Sequence, residues 1–153
     1  MVNRREWLRM AVGGAAVAVA TGAVPALAED PATPITVYKS PSCGCCGKWV
    51  EHLKANGFAP TVRDMDDLSE VKATFGVPKA LQSCHTATVG HYVVEGHVPA
   101  DLIHRMLREK AKFAGLAVPG MVTGSPGMEG GRAEPYDVVA FDRSGHTSVY
   151  AHR

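Results

Sequence analysis

Past its first thirty residues, this chain of 153 residues has no apolar run near the roughly 20 residues that a membrane-spanning helix requires. That excludes a helical span from the bulk of the chain. Internal repeats and low-complexity tracts are missing too, which leaves one globular domain of ordinary size. Charge of one sign is not in excess: 16 Lys and Arg face 15 Asp and Glu, for a formal +1. Setting aside Arg4, Arg5, Arg9 and Glu6 turns that into −1. Such a balance gives no electrostatic reason to expect nucleic acid or an anionic membrane as partner. A spaced acidic loop closing on Glu is likewise lacking, so Asp64, Asp66 and Asp67 read as a solvated turn rather than a hard-cation site.

The residues at the start read as an address. Arg4-Arg5, Trp7, Leu8 and Arg9 precede a weakly apolar Ala/Gly/Val stretch interrupted by Pro25, and Ala26-Leu27-Ala28 follows as an A-x-A cleavage site. The arginine pair resembles a twin-arginine export signal more than a general secretory one, and both lead out of the cytoplasm. The expected organisation is a twin-arginine-type signal peptide over residues 1–28 and one metal-binding domain over residues 29–153.

Within that domain, Ile35-Thr36-Val37-Tyr38 is β-branched and aromatic and ends at Ser40-Pro41-Ser42, a strand and then a turn. Trp49, Val50 and Leu53 recur at helical spacing until Asn56-Gly57, which places three cysteines at a helix N-terminus. A strand near residues 61–63, a short helix over 69–75 and paired strands at 86–89 and 92–95 follow. Pro99 is placed as the first residue of a helix that buries Leu102, Ile103, Met106 and Leu107. A Gly/Pro/Met loop over 115–131 leads to a hairpin of 136–141 with 147–150. The fold class is therefore α/β, a thioredoxin-like β-α-β-α-β-β-α order with an added C-terminal β-hairpin. A C-x-x-C between a first strand and helix is a thioredoxin signature, although here Cys45 stands inside it.

All four cysteines fall in this domain, where an oxidising compartment would favour disulfides. Cys43, Cys45 and Cys46 are too close together for a simple loop-closing staple, and adjacent Cys45-Cys46 makes pairing all four awkward. With Cys84 they form a soft donor set suited to Cu(I), Zn(II) or iron–sulfur. Zinc prefers two separated pairs, and iron–sulfur wider spacings. Copper(I) accepts shared sulfurs, so a crowded cluster can hold one ion or several bridged ions. Further donors are His85 beside Cys84, and Met121 and Met128 in a repeated Pro-Gly-Met unit, whose thioethers either ligate Cu(I) or cap the core. His97 could face the site, but it reads more readily as an exposed or hydrogen-bonded residue. His52, His104, His146 and His152 read as surface residues.

Four blocks carry a family resemblance: Cys43-Gly44-Cys45-Cys46 with Trp49; Gly76-Val77-Pro78 to Ser83-Cys84-His85-Thr86; Val94-Glu95-Gly96-His97-Val98-Pro99-Ala100; and Gly115-Leu116-Ala117-Val118-Pro119-Gly120-Met121 to Gly124-Ser125-Pro126-Gly127-Met128-Glu129. Over residues 33–150 the chain resembles the CopG-type periplasmic copper-resistance proteins. It departs from them at Val122-Thr123, where a second proline is expected. The resemblance implies a thioredoxin-like fold, a periplasmic location, and copper held by the four cysteines, including as a multinuclear Cu(I)–thiolate cluster. Copper ions and other periplasmic copper-handling proteins are the implied partners. Three functions compete: a copper-binding protein that also exchanges copper redox states, a thiol–disulfide oxidoreductase using Cys43 and Cys46, and a structural domain with two disulfides or zinc.

Overall fold

The computed structural model describes residues 31–153, so the expected signal peptide over 1–28 lies outside the described residues. The first strand, β1 (Thr33–Lys39), buries Ile35 and Val37 on one face, as its β-branched alternation requires. Helix α1 (Gly44–Ala55) follows and buries Trp49, Val50 and Leu53 against that face. It stops at Asn56, whose N–H bonds back to the Leu53 carbonyl, and at Gly57. Strand β2 (Phe58–Asp64) pairs parallel to β1. The acidic turn has a job within the fold: Asp64 pairs with Lys39 at 3.0 Å, and the Asp67 carboxylate accepts the Ser69 N–H at the start of α2 (Ser69–Thr74).

Strands β3 (His85–Val89) and β4 (Tyr92–Glu95) form the expected antiparallel pair, with β3 also antiparallel to β1. Helix α3 (Ala100–Glu109) begins one residue later than expected, because Pro99 is extended and serves as its N-cap. It buries Leu102, Ile103 and Met106, with Leu107 partly covered. The expected order therefore holds from β1 to α3. The loop expectation for 115–131 needs one correction: Gly115–Ala117 is a strand, β5, parallel to β4. It joins the C-terminal hairpin, β6 (Asp137–Phe141) and β7 (Thr147–His152), to the rest, giving one seven-stranded sheet in the order β2-β1-β3-β4-β5-β6-β7.

Register divides the buried residues between two faces. Val37, Ala87, Val94, Leu116 and Ala140 stand opposite one another across the strands, in the core cluster that holds Trp49 from α1 and Ile103 and Met106 from α3. Val93, Ala117 and Phe141 face the other way and pack with Val77 and Leu81. Each fully buried aliphatic side chain contributes about 1.5–3 kcal/mol, so both layers are needed to fix the sheet. Among the described residues no helix is long and apolar enough to cross a membrane.

Candidate metal centre

The turn Ser40-Pro41-Ser42 brings the chain off β1, and the Cys43 N–H bonds to the Ser40 carbonyl at 3.1 Å. Cys43 is then the extended N-cap of α1, and Cys45 and Cys46 lie in its first turn. Amides at a helix start and the dipole there favour thiolate over thiol. Cys84 ends the segment that leads into β3. Its backbone carbonyl lies 3.9 Å from the Cys46 sulfur. As a result all four sulfurs lie within 4.8 Å of one another.

Cys43 and Cys46 are joined by a disulfide, while Cys45 and Cys84 are free. The spacing argument against a staple is therefore right only in part. One short bridge closes across the first helical turn, where it links two residues already held near each other, and it leaves two thiols beside it. The Cys45 sulfur is 3.5 Å from that of Cys43.

A second donor group adjoins the first and shares Cys84 with it. Ring nitrogens of His85 and His97 lie with the Cys84 sulfur inside one 4.8 Å set. The Cys84 sulfur is 3.1 Å from His97 Nε2 and 3.4 Å from His85 Nδ1. His97 Nδ1 sits 2.7 Å from the Pro126 carbonyl, which can only accept, so the proton is on Nδ1 and the Nε2 lone pair points at the sulfur. A histidine fixed in this way from behind is oriented as a metal-binding histidine is. His97 is fully buried, and the preference for an exposed or merely hydrogen-bonded residue understated its position.

His85 is also fully buried, its ring 4.3 Å from that of Trp49 and 4.9 Å from that of His97. Its Nε2 has no hydrogen-bond partner. Burial pushes the His85 imidazole down to about 3, with His97 and Lys72 adding to the effect. His97 is lowered by burial as well, against the Pro126 carbonyl. The Cys84 thiol is pushed up to about 11 by burial and by Cys45. In the metal-free protein these groups are a thiol and two neutral imidazoles, all of which bind a soft cation on loss of the thiol proton.

The two methionines part company. Met128 lines a cleft of about 470 Å³ together with Cys45, Lys48 and Glu129, at the mouth of the sulfur cluster. The preceding Pro126-Gly127 backbone lies flat on α1, since a Cβ on Gly127 would come within 2.8 Å of the Cys45 carbonyl and 2.9 Å of the Trp49 nitrogen. Met121 is 59 % exposed, although the Gly120 carbonyl beside it accepts the Ser83 hydroxyl. Of the other histidines, His52 is half-buried and takes the Ala100 N–H at the start of α3, and His104 bonds to the Asn56 carbonyl.

Fold and site together define a mixed α/β protein with a sulfur-rich candidate metal centre at the start of its first helix. Two solved structures are similar to it. One, titled "Copper resistance protein copG- Form 2", is 49 % identical over 80 % of this chain and 98 % of that one, with a TM-score of 0.76. The other, titled "Copper resistance protein copG- Form 1", is 49 % identical over 81 % and 98 %, with a TM-score of 0.75. The chain belongs to the CopG copper-resistance family, as its four sequence blocks led us to expect. Residues 81–128, which include Cys84, His85, His97, Met121 and Met128, match the family described as "Protein of unknown function, DUF411". No curated protein matches the chain.

Proposed function

We propose that this protein binds copper through Cys43, Cys45, Cys46 and Cys84 and serves copper resistance in the periplasm. The observation that carries the reading is the convergence of four sulfurs within 4.8 Å, with Cys84 common to a histidine-bearing set. Neither set includes a carboxylate, so the donors are sulfur and imidazole, the choice of a soft cation over a hard one. Cu(I) fits better than zinc, because a shared Cys84 suits bridging between several ions more than one closed tetrahedron. His85 and His97 supply nitrogen on the buried side, and Met128 a thioether on the exposed side. Met121, which is exposed, would be a further thioether donor from the same loop.

The Cys43–Cys46 bridge supports a redox role for the reduced pair. Two Cu(II) ions each take one electron from the dithiol, which yields two Cu(I), one disulfide and two protons. The bridge also favours a second reading, a thiol–disulfide oxidoreductase in which Cys43 attacks and Cys46 resolves. Export through the Arg4-Arg5 signal would place either activity beside other periplasmic copper-handling proteins.

Anaerobic titration of the reduced protein with Cu(I) against a chromophoric chelator tests the first reading. The wild type should retain more than one ion through dialysis, and Cys45→Ser and Cys84→Ser should retain fewer. Retention of none by the wild type rejects it. The oxidoreductase reading gains if Cys45→Ser keeps full disulfide-reducing activity while Cys43→Ser loses it. For export, Arg4→Lys with Arg5→Lys should leave the precursor in the cytoplasm, and normal export of that variant excludes the twin-arginine route.

A further inference from the structure

On the sheet face opposite α1, a charged pair lies inside the protein. Glu95, the last residue of β4, is fully buried, and Lys72 of α2 is 7 % exposed. Glu95 Oε1 accepts from Lys72 Nζ at 2.6 Å, and Oε2 accepts from the Thr86 hydroxyl at 2.6 Å. Lys72 also donates to the Thr86 oxygen at 3.0 Å. A buried ion pair of this kind is a weak source of stability, since desolvation consumes most of its attraction and an apolar pair of similar size often serves as well. Its presence calls for another reason.

The third donor to this carboxylate supplies that reason. Glu95 Oε1 also accepts the backbone N–H of Ser83 at 2.6 Å. Ser83 immediately precedes Cys84 and lies outside the β3 ladder, so no strand partner holds its amide. The neighbouring groups are fastened as well. The Ser83 hydroxyl donates to the Gly120 carbonyl, and the Gly96 N–H donates to the His85 carbonyl at 3.0 Å. The packing leaves no slack: at φ +69, a Cβ on Gly96 would lie 2.6 Å from the Ser83 hydroxyl oxygen. Residues 83–85 are thus clamped from β4, from α2 through Lys72, and from the Pro-Gly-Met loop.

We infer that Glu95, held in place by Lys72, is a positioning residue for Cys84: it grips the Ser83 amide so that the fourth sulfur stays within reach of the other three. The inference rests on the copper reading above only for its consequence, tight Cu(I). The position of the sulfur is a property of the protein alone.

Two double variants isolate the grip from general stability. Lys72→Met with Glu95→Leu removes charge and acceptor together; Lys72→Met with Glu95→Gln removes the charges and keeps an acceptor for the Ser83 N–H. The glutamine pair should melt near the wild type, and the leucine pair somewhat lower because it strands the Ser83 N–H and the buried Thr86 hydroxyl, so both are compared at a temperature where each is folded. Anaerobic Cu(I) competition should show the leucine pair weakened about tenfold or more, with fewer ions and an altered thiolate-to-copper absorption, and the glutamine pair restored to within about threefold. In a Cys84→Ser background the two pairs should bind alike. Alkylation of Cys84 by iodoacetamide gives a copper-free readout and should be faster in the leucine pair than in the glutamine pair. If the leucine pair does not fold, Glu95→Asp, which withdraws the acceptor by one methylene while keeping the charge, must show the same loss. Equal copper affinity and equal Cys84 reactivity in both pairs would overturn the inference. A wild type that binds no Cu(I) would reject the copper reading instead, and the alkylation comparison would still decide the role of Glu95.

Discussion

Burial acts in opposite senses on Cys84 and His85, because it penalises whichever form carries charge. His85 is held neutral down to about 3, against an ordinary value of 6.5. Its contribution to stability is present above pH 6.5 and is lost as pH falls towards 3, since the unfolded chain takes up a proton that the native state refuses. Between pH 7 and pH 5 that amounts to about 2 kcal/mol. Denaturant melts of the metal-free protein should therefore show His85→Phe, which keeps a ring packed against Trp49, losing about 2 kcal/mol less than wild type over that interval. An equal loss in both proteins would show that His85 is not the group responsible. Cys84, pushed up to about 11, is a thiol at neutral pH. Iodoacetamide, which attacks thiolate, should label it slowly at pH 8 and about tenfold faster per pH unit from there. A labelling rate already flat by pH 9 would contradict the shift. The cysteines were legible in the sequence because donor type and close spacing are local facts. His97 was not, because its approach to Cys84 depends on the turn at Gly96 and on the Thr86–Glu95 register. Nor was Lys72, whose partner lies 23 residues away.

Helix α1 and the second Pro-Gly-Met turn act as the two jaws of the cluster's mouth, and their contact is between backbones. Gly127, at φ +87, lies against the Cys45 carbonyl and the Trp49 nitrogen with no room for a methyl group. Gly127→Ala must both adopt a left-handed backbone and push the turn off the helix, at about 1–3 kcal/mol in stability. The displaced turn also carries the Pro126 carbonyl that fixes His97. Urea melts should register the stability loss, and Cu(I) competition should register weaker binding than for Gly130→Ala, which shares the strain of a positive φ (+126) but has open space around it. A Gly127→Ala protein as stable as wild type would mean the jaws do not touch. Elements with a strong period were readable here: α1 from Trp49, Val50 and Leu53, and β1 from its alternation. Strand β5 was missed because Gly-Leu-Ala is three residues long and contains no β-branched side chain. Only pairing with β4 and β6 makes it a strand.

At the scale of the whole molecule, the sheet and its two buried layers bring the β1–α1 turn, the segment before β3 and the Pro-Gly-Met loop to one place, so loading the cluster ties three distant parts of the chain together. A ligand that binds only the native state stabilises it by about 2.7 kcal/mol at a hundredfold excess over its Kd. For a domain of this size that raises Tm by roughly 10 °C. The oxidation state decides whether the ties can form. With Cys43 and Cys46 bridged, only Cys45 and Cys84 remain as thiols. Silver(I) separates coordination from electron transfer, because it is a soft cation that does not exchange electrons with a thiol pair under these conditions. Melting curves with Ag(I) should show a shift of roughly 10 °C for the reduced protein and less than half of that for the oxidised one. Cys43→Ser, which can form no such bridge and keeps three thiols, should give an intermediate shift that is the same with or without reductant. Equal shifts for reduced and oxidised wild type would mean that the bridged sulfurs take no part in holding the ion, and the four-sulfur centre would reduce to the Cys84, His85 and His97 set.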